Sequence, residues 1–151
     1  MSRKLILILT ALAVAGVMAF GPAEALAAKN HAVTATGKAA LIGTESGRTV
    51  ALGRFLSATL GETVVVFKTK ILKNGKLSST LTAYTRNGTL RGTALQTVTP
   101  TATGGSTFSG TAKITGGTGL YGGATGTASA TGTQAKDNPV ISYKLKGNIR
   151  Y

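Results

Sequence analysis

The chain holds one histidine, His31, and four carboxylates, Glu24, Glu45, Glu62 and Asp137. Proton-transfer catalysis needs a base held in place with a tuned pKa, and this set offers few candidates. Glu45 and Glu62 lie in turn-like sequence, and Asp137 stands beside Asn138-Pro139, so all three are surface positions by default. No two carboxylates occur at the i, i+2 spacing that would place them on one face of a strand, which leaves two-carboxylate glycosidase chemistry unsupported. A single histidine and no cysteine cannot supply the three or four ligands of a zinc site or a thiolate nucleophile. Serines and threonines are plentiful, but without a base none is activated. The expectation is no catalytic residue, no metal and no cofactor.

A second motif invites a chemical reading. The run Ile114–Gly126, ITGGTGLYGGATG, contains G-x-G-x-x-G at Gly117, Gly119 and Gly122. That spacing cradles a pyrophosphate only when a strand precedes it and a helix follows it. The following residues, GATGTASATGT, are poor helix formers with no apolar helical stripe. A strand-turn-strand explains the run better. Gly116, Gly117 and Gly119 turn the chain, and Tyr121 folds back as an apolar plug.

The elements that must position these residues read as strands throughout. From His31 onward Thr, Val, Ala and Gly dominate, and turn signals recur at Glu45-Ser46-Gly47, Gly61-Glu62, Asn74-Gly75 and Asn87-Gly88. Asn-Gly between runs of strand formers is the strongest short hairpin signal. The pattern predicts eight strands: 32–43, 49–60, 63–73, 76–86, 89–98, 107–115, 124–134 and 140–151. Eight antiparallel strands in up-and-down order close into a β-barrel, which removes exposed sheet edges. The fold class expected is all-β.

The last strand alternates most clearly, with Ile141, Tyr143, Leu145, Ile149 and Tyr151 on one face and Ser142, Lys144, Lys146, Asn148 and Arg150 on the other. Tyr143, Leu145 and Ile149 are therefore expected to line the lumen. Two strands are ambiguous. Val50, Leu52, Leu56 and Leu60 share a face with Arg54, and Val64, Val66 and Leu72 share one with Lys68 and Lys70. Either these cations reach out into water at a rim, or the third strand turns Val65, Phe67 and Ile71 inward. A third reading makes Arg54 a lumen cation, fixing an anionic ligand or pairing with Glu45 or Glu62.

The ends and the charge bound the compartment. Arg3 and Lys4 precede an uncharged run, Leu5–Phe20, then Gly21-Pro22 and Ala25-Leu26-Ala27. This is the pattern of a secretory signal cleaved after Ala27, with Ala28 as the alternative. Residues 1–27 are thus expected to be signal and 28–151 one β-barrel domain, secreted or held in the periplasm or cell envelope. Cleavage takes two bases and one acid from a chain of net charge +13, leaving +12. Such a surface is drawn non-specifically to anionic envelope polymers. The bases are scattered and Phe55, Phe67, Tyr84 and Phe108 are sparse, so no specific nucleic-acid partner is expected.

Three stretches together carry a resemblance: Phe108-Ser109-Gly110-Thr111, then Ile114–Tyr121, then Ala124-Thr125-Gly126. They resemble the signature of the allene oxide cyclase and dirigent barrel superfamily, nearest its small secreted bacterial members. Tyr121 matches the aromatic of the dirigent pattern. Thr115 replaces its second hydrophobic residue, and Thr125 replaces its arginine. The resemblance implies a β-barrel with a mostly apolar central cavity, often in an oligomer. It carries no catalysis across, because no carboxylate here aligns with the acids those proteins place in the pocket. The expectation is an exported, non-catalytic barrel that binds a small apolar or amphipathic ligand in its lumen or serves a structural role in the envelope. A cyclase-like or dirigent-like enzyme and an outer-membrane barrel are the alternatives.

Overall fold

The computed structural model describes residues 27–151. The expected signal lies outside the described residues except for its last, Ala27. Eight strands form a closed antiparallel barrel in which each pairs with its sequence neighbours and β8 closes on β1. They are β1 (Asn30–Glu45), β2 (Arg48–Ser57), β3 (Gly61–Ile71), β4 (Leu77–Thr85), β5 (Gly88–Pro100), β6 (Ser106–Gly117), β7 (Thr125–Gln134) and β8 (Val140–Arg150). All eight expected strands are present in up-and-down order.

The hairpins owe their geometry to different residues than expected. Ser46 and Gly47 both have positive φ, 49° and 72°, the dihedral signature of a two-residue type I′ turn. At Asn74-Gly75 and Asn87-Gly88 only the glycine is positive. There the side chains hold the turns instead. Asn74 Oδ1 accepts from the Lys76 N–H at 3.1 Å, and Thr85 Oγ1 accepts from the Asn87 N–H at 3.1 Å. Two bulges bend the wall. Ile42 is an extra residue of β1 opposite Ala51 and Val50, and Thr115 is one of β6 opposite Arg91 and Gly92. A bulge sharpens local twist, which a small barrel needs to close.

Alternation decides what faces in. Along β3 the inward set is Thr63, Val65 and Phe67, which bears out the inverted reading for Val65 and Phe67, whereas Ile71, at the strand's end, is 71% exposed at the rim. Val64, Val66, Lys68 and Lys70 therefore face out, as do Val50, Leu52, Arg54 and Leu56 on β2. Ala35, Ala83, Ala94, Ala112 and Ala130 are buried on the inside. Such small residues leave the lumen incompletely filled.

The two barrel ends differ. At one end lie the chain termini of the barrel, the β2–β3 and β4–β5 turns, and a single 3-10 turn, Gly119–Tyr121. That turn docks on the β4–β5 hairpin: Thr118 N–H donates to Thr89 O and Leu120 N–H to Asn87 O, both at 2.9 Å. Gly119 makes the approach possible, with φ +62° and no side chain where a Cβ would come 2.5 Å from the Asn87 carbonyl oxygen. Tyr121 folds inward and is 1% exposed. Its ring meets Tyr151 edge-on at 4.8 Å, and Tyr151 stacks on His31 at 4.3 Å. This end is sealed.

Candidate functional site

The lumen is built around Tyr143 of β8. Its ring centroid lies 6.3 Å from Phe55, 6.4 Å from Phe67 and 6.1 Å from Phe108, contributed by β2, β3 and β6. Such separations suit offset and edge-on aromatic contacts. The ring fits because β7 places Gly132 directly opposite, where a Cβ would come within 2.8 Å of it. This aromatic layer divides the lumen in two.

Toward the sealed end is a partly enclosed cavity of about 100 Å³. Val33, Val65, Leu81, Leu90, Ile114, Leu145 and Ile149 supply apolar wall, and Ser57 and Thr63 supply hydroxyls. The Ser57 hydroxyl accepts the Thr59 N–H at 3.2 Å, so it serves the β2–β3 turn. On the other side is a vestibule of about 230 Å³ that opens between the remaining hairpins. Leu41, Ile71, Leu77, Ile141 and Gln134 rim it, and Thr69 and Ser79 share a hydrogen bond at 2.8 Å within it. Phe67, Gln96 and Tyr143 line both spaces.

Those three residues form the threshold. Burial raises the Tyr143 phenol above its ordinary pKa, while hydrogen bonding by the Gln96 side chain acts in the opposite direction. The phenol is thus neutral at physiological pH, able to donate and to accept one hydrogen bond. Among the described residues no Asp, Glu, Lys, Arg or His lines either space. Nor do three metal-ligating side chains gather anywhere among them.

Tyr143, Leu145 and Ile149 line the lumen as their alternation on β8 requires. Arg54 does not, and the lumen-cation reading is corrected. Its position on β2 alternates with the inward Phe55, so its guanidinium stands outside, three-quarters exposed, 3.1 Å from Glu62. The pairing with Glu62 was one of the readings, but it is a surface pair. Glu45 pairs with Lys68 at 2.9 Å, also outside. Of the three glycines expected to turn the chain, Gly116 and Gly117 instead end β6, paired with Arg91 and Leu90, and only Gly119 lies in the 3-10 turn that carries Tyr121, at the sealed end.

Gln96 is the site residue that sequence reasoning missed. Its strand turns Leu90, Ala94 and Val98 inward as the apolar-inward rule requires, but puts Leu95 on the outer face, 44% exposed, and Gln96 inside, so the rule fails at that one pair. The alternation of small residues, Gly92 and Ala94 against Thr93, was the usable signal.

No protein-family model matches this chain, and neither the curated proteins nor the solved structures contain a match.

Proposed function

We propose that the chain is an exported, non-catalytic barrel that holds a small, uncharged, amphipathic molecule in its lumen. One observation carries this reading: an apolar interior, lined by no charged group among the described residues, leads from an open mouth past Tyr143 and Gln96 to a partly enclosed cavity. Binding sites are commonly of this kind, mostly apolar with a few polar groups that orient the ligand. The apolar end of the ligand occupies the cavity of about 100 Å³, and its polar group meets Tyr143 and Gln96. An ionised ligand would lose its hydration without gaining a counter-charge. The secretory pattern at residues 1–27 and the likeness to allene oxide cyclase and dirigent barrels support the same reading.

The outer face speaks against a membrane-embedded barrel, which needs an apolar band around its whole girth. Along β7 the outward residues are Thr125, Thr127, Ser129, Thr131 and Thr133, and along β8 they are Ser142, Lys144, Lys146, Asn148 and Arg150.

The reading is tested by calorimetric titration with a series of straight-chain primary alcohols and the carboxylates of equal length. Alcohols should bind with an affinity that rises with chain length and then levels off, and each carboxylate should bind more weakly by about tenfold or more. Equal binding of both series, or of neither, would remove the proposal.

A further inference from the structure

The barrel brings five bases that are far apart in the sequence, Lys38, Lys113, Lys144, Lys146 and Arg150, onto one face. On the outer face of β8, Lys144, Lys146 and Arg150 form one row, all exposed. Register adds Lys38, which pairs with Ser142 from the β1 side. On the β7 side Lys113 lies two strands from Asn148, with Thr127 between them. No carboxylate shares the outward positions of β6, β7 and β8. Asp137 lies beyond them in the β7–β8 loop, and Glu45 at the end of β1 and Glu62 on β3 are engaged by Lys68 and Arg54.

The face has a layout as well as a charge. Two shallow depressions lie at its ends, one holding Lys38 and Lys144, the other Lys113 and Arg150. Lys146 stands between them, flanked across the ladder by Thr34 and Ser129. From Lys144 to Arg150 the strand rises roughly 20 Å, at about 3.4 Å per residue. Cations thus recur along a line, and hydroxyls fill the positions beside them. Tyr143 borders the first depression, but its ring lies in the lumen, and no outward position of β6, β7 or β8 carries an aromatic. The exposed aromatic Tyr84 is on β4, away from it. Single-stranded nucleic acid is gripped chiefly by stacking its bases on aromatic rings, which this surface cannot offer. It offers charge and hydrogen bonds to anionic oxygens and sugar or polyol hydroxyls.

We propose that this face binds a linear polyanion of phosphodiester-linked polyol or sugar units, the kind of polymer a cell envelope carries. The barrel would lie along the polymer on β8, with the lumen mouth at its end left open. That the polymer comes from an envelope rests on the export proposed above. The binding rests only on the surface and can fail or succeed independently of the lumen.

The test uses purified poly(glycerol phosphate), with a single-stranded oligonucleotide of equal charge as competitor. Two double variants lose the same charge from different sides: Lys144→Gln with Lys146→Gln on the stripe, and Lys70→Gln with Lys73→Gln at the far side. All four positions are exposed, so the fold should tolerate them. The polymer should bind the natural chain, and the stripe variant should weaken binding about tenfold, with the far-side variant within about twofold. The dependence of log affinity on log salt should fall by about one unit for each contact removed in the stripe variant. Equal weakening by both variants would mean net charge alone, and tighter binding of the oligonucleotide would mean a nucleic-acid surface. Either result, or no binding, overturns the proposal.

Discussion

Tyr143 concentrates the chemistry of the lumen in a single side chain. Burial raises its pKa, so the folded state holds its proton more tightly than the unfolded chain does. The stability this contributes is fully present below the ordinary tyrosine value of about 10 and is lost as pH rises through the folded-state value. Tyr151 is shifted the same way, by burial and then by Tyr121, and adds to the same alkaline loss. Denaturant midpoints measured from neutral to strongly alkaline pH should fall less steeply in Tyr143→Phe than in the natural chain. The same slope in both would show that the phenol is not buried against ionisation. Tyr121 answers a different question. Truncating a buried aromatic costs roughly 3–5 kcal/mol, and Tyr121→Ala should fall in that range by equilibrium unfolding. Arg54→Ala should cost under about 1 kcal/mol, because its partner is a solvent-exposed Glu62.

Among the elements, the connection Thr118–Ala124 does the sealing, and glycine makes it fit. Gly119→Ala places a Cβ against the Asn87 carbonyl at a left-handed φ, so thermal unfolding should show a loss of more than about 1 kcal/mol. Hydrogen exchange should quicken first at the Leu120 and Thr118 amides, which bond to the β4–β5 hairpin. The strands themselves were legible from alternation and turn residues. All eight appear in sequence where expected, and β8 shows its inner and outer faces directly. Legibility failed where both faces carry apolar residues. On β2 the outward Leu52 and Leu56 flank Arg54, 40% and 66% exposed, so hydrophobicity alone could not say which way Arg54 points. Register to β3 settles it by pairing Arg54 with Val64 and Phe55 with Thr63. The site was less legible than the fold. Tyr143 followed from period two, whereas Gln96 and the aromatic layer depend on which strands become neighbours across a closed sheet.

At the scale of the whole molecule, the barrel separates two environments that the composition mixes. Inside, charge is absent among the described residues and small side chains leave space. Outside, a row of cations and hydroxyls runs along β8 and its neighbours, and the two ion pairs tie β3 to β2 and to the end of β1. The separation follows from closing a period-two pattern into a ring, since every strand then has one wet face and one dry face. The central claim is that the dry space is a binding site and not a packing defect. Filling it distinguishes the two. Ala130 is buried in the cavity wall, and Ala130→Leu directs added methyl groups into the void. The decisive measurement is calorimetric titration of the natural chain and this variant with the best-binding alcohol. Unfolding midpoints of the two chains confirm that both are folded. The account predicts one-to-one binding to the natural chain, weakened at least about tenfold in a variant of stability changed by less than about 2 kcal/mol. Undiminished binding by the folded variant would contradict it.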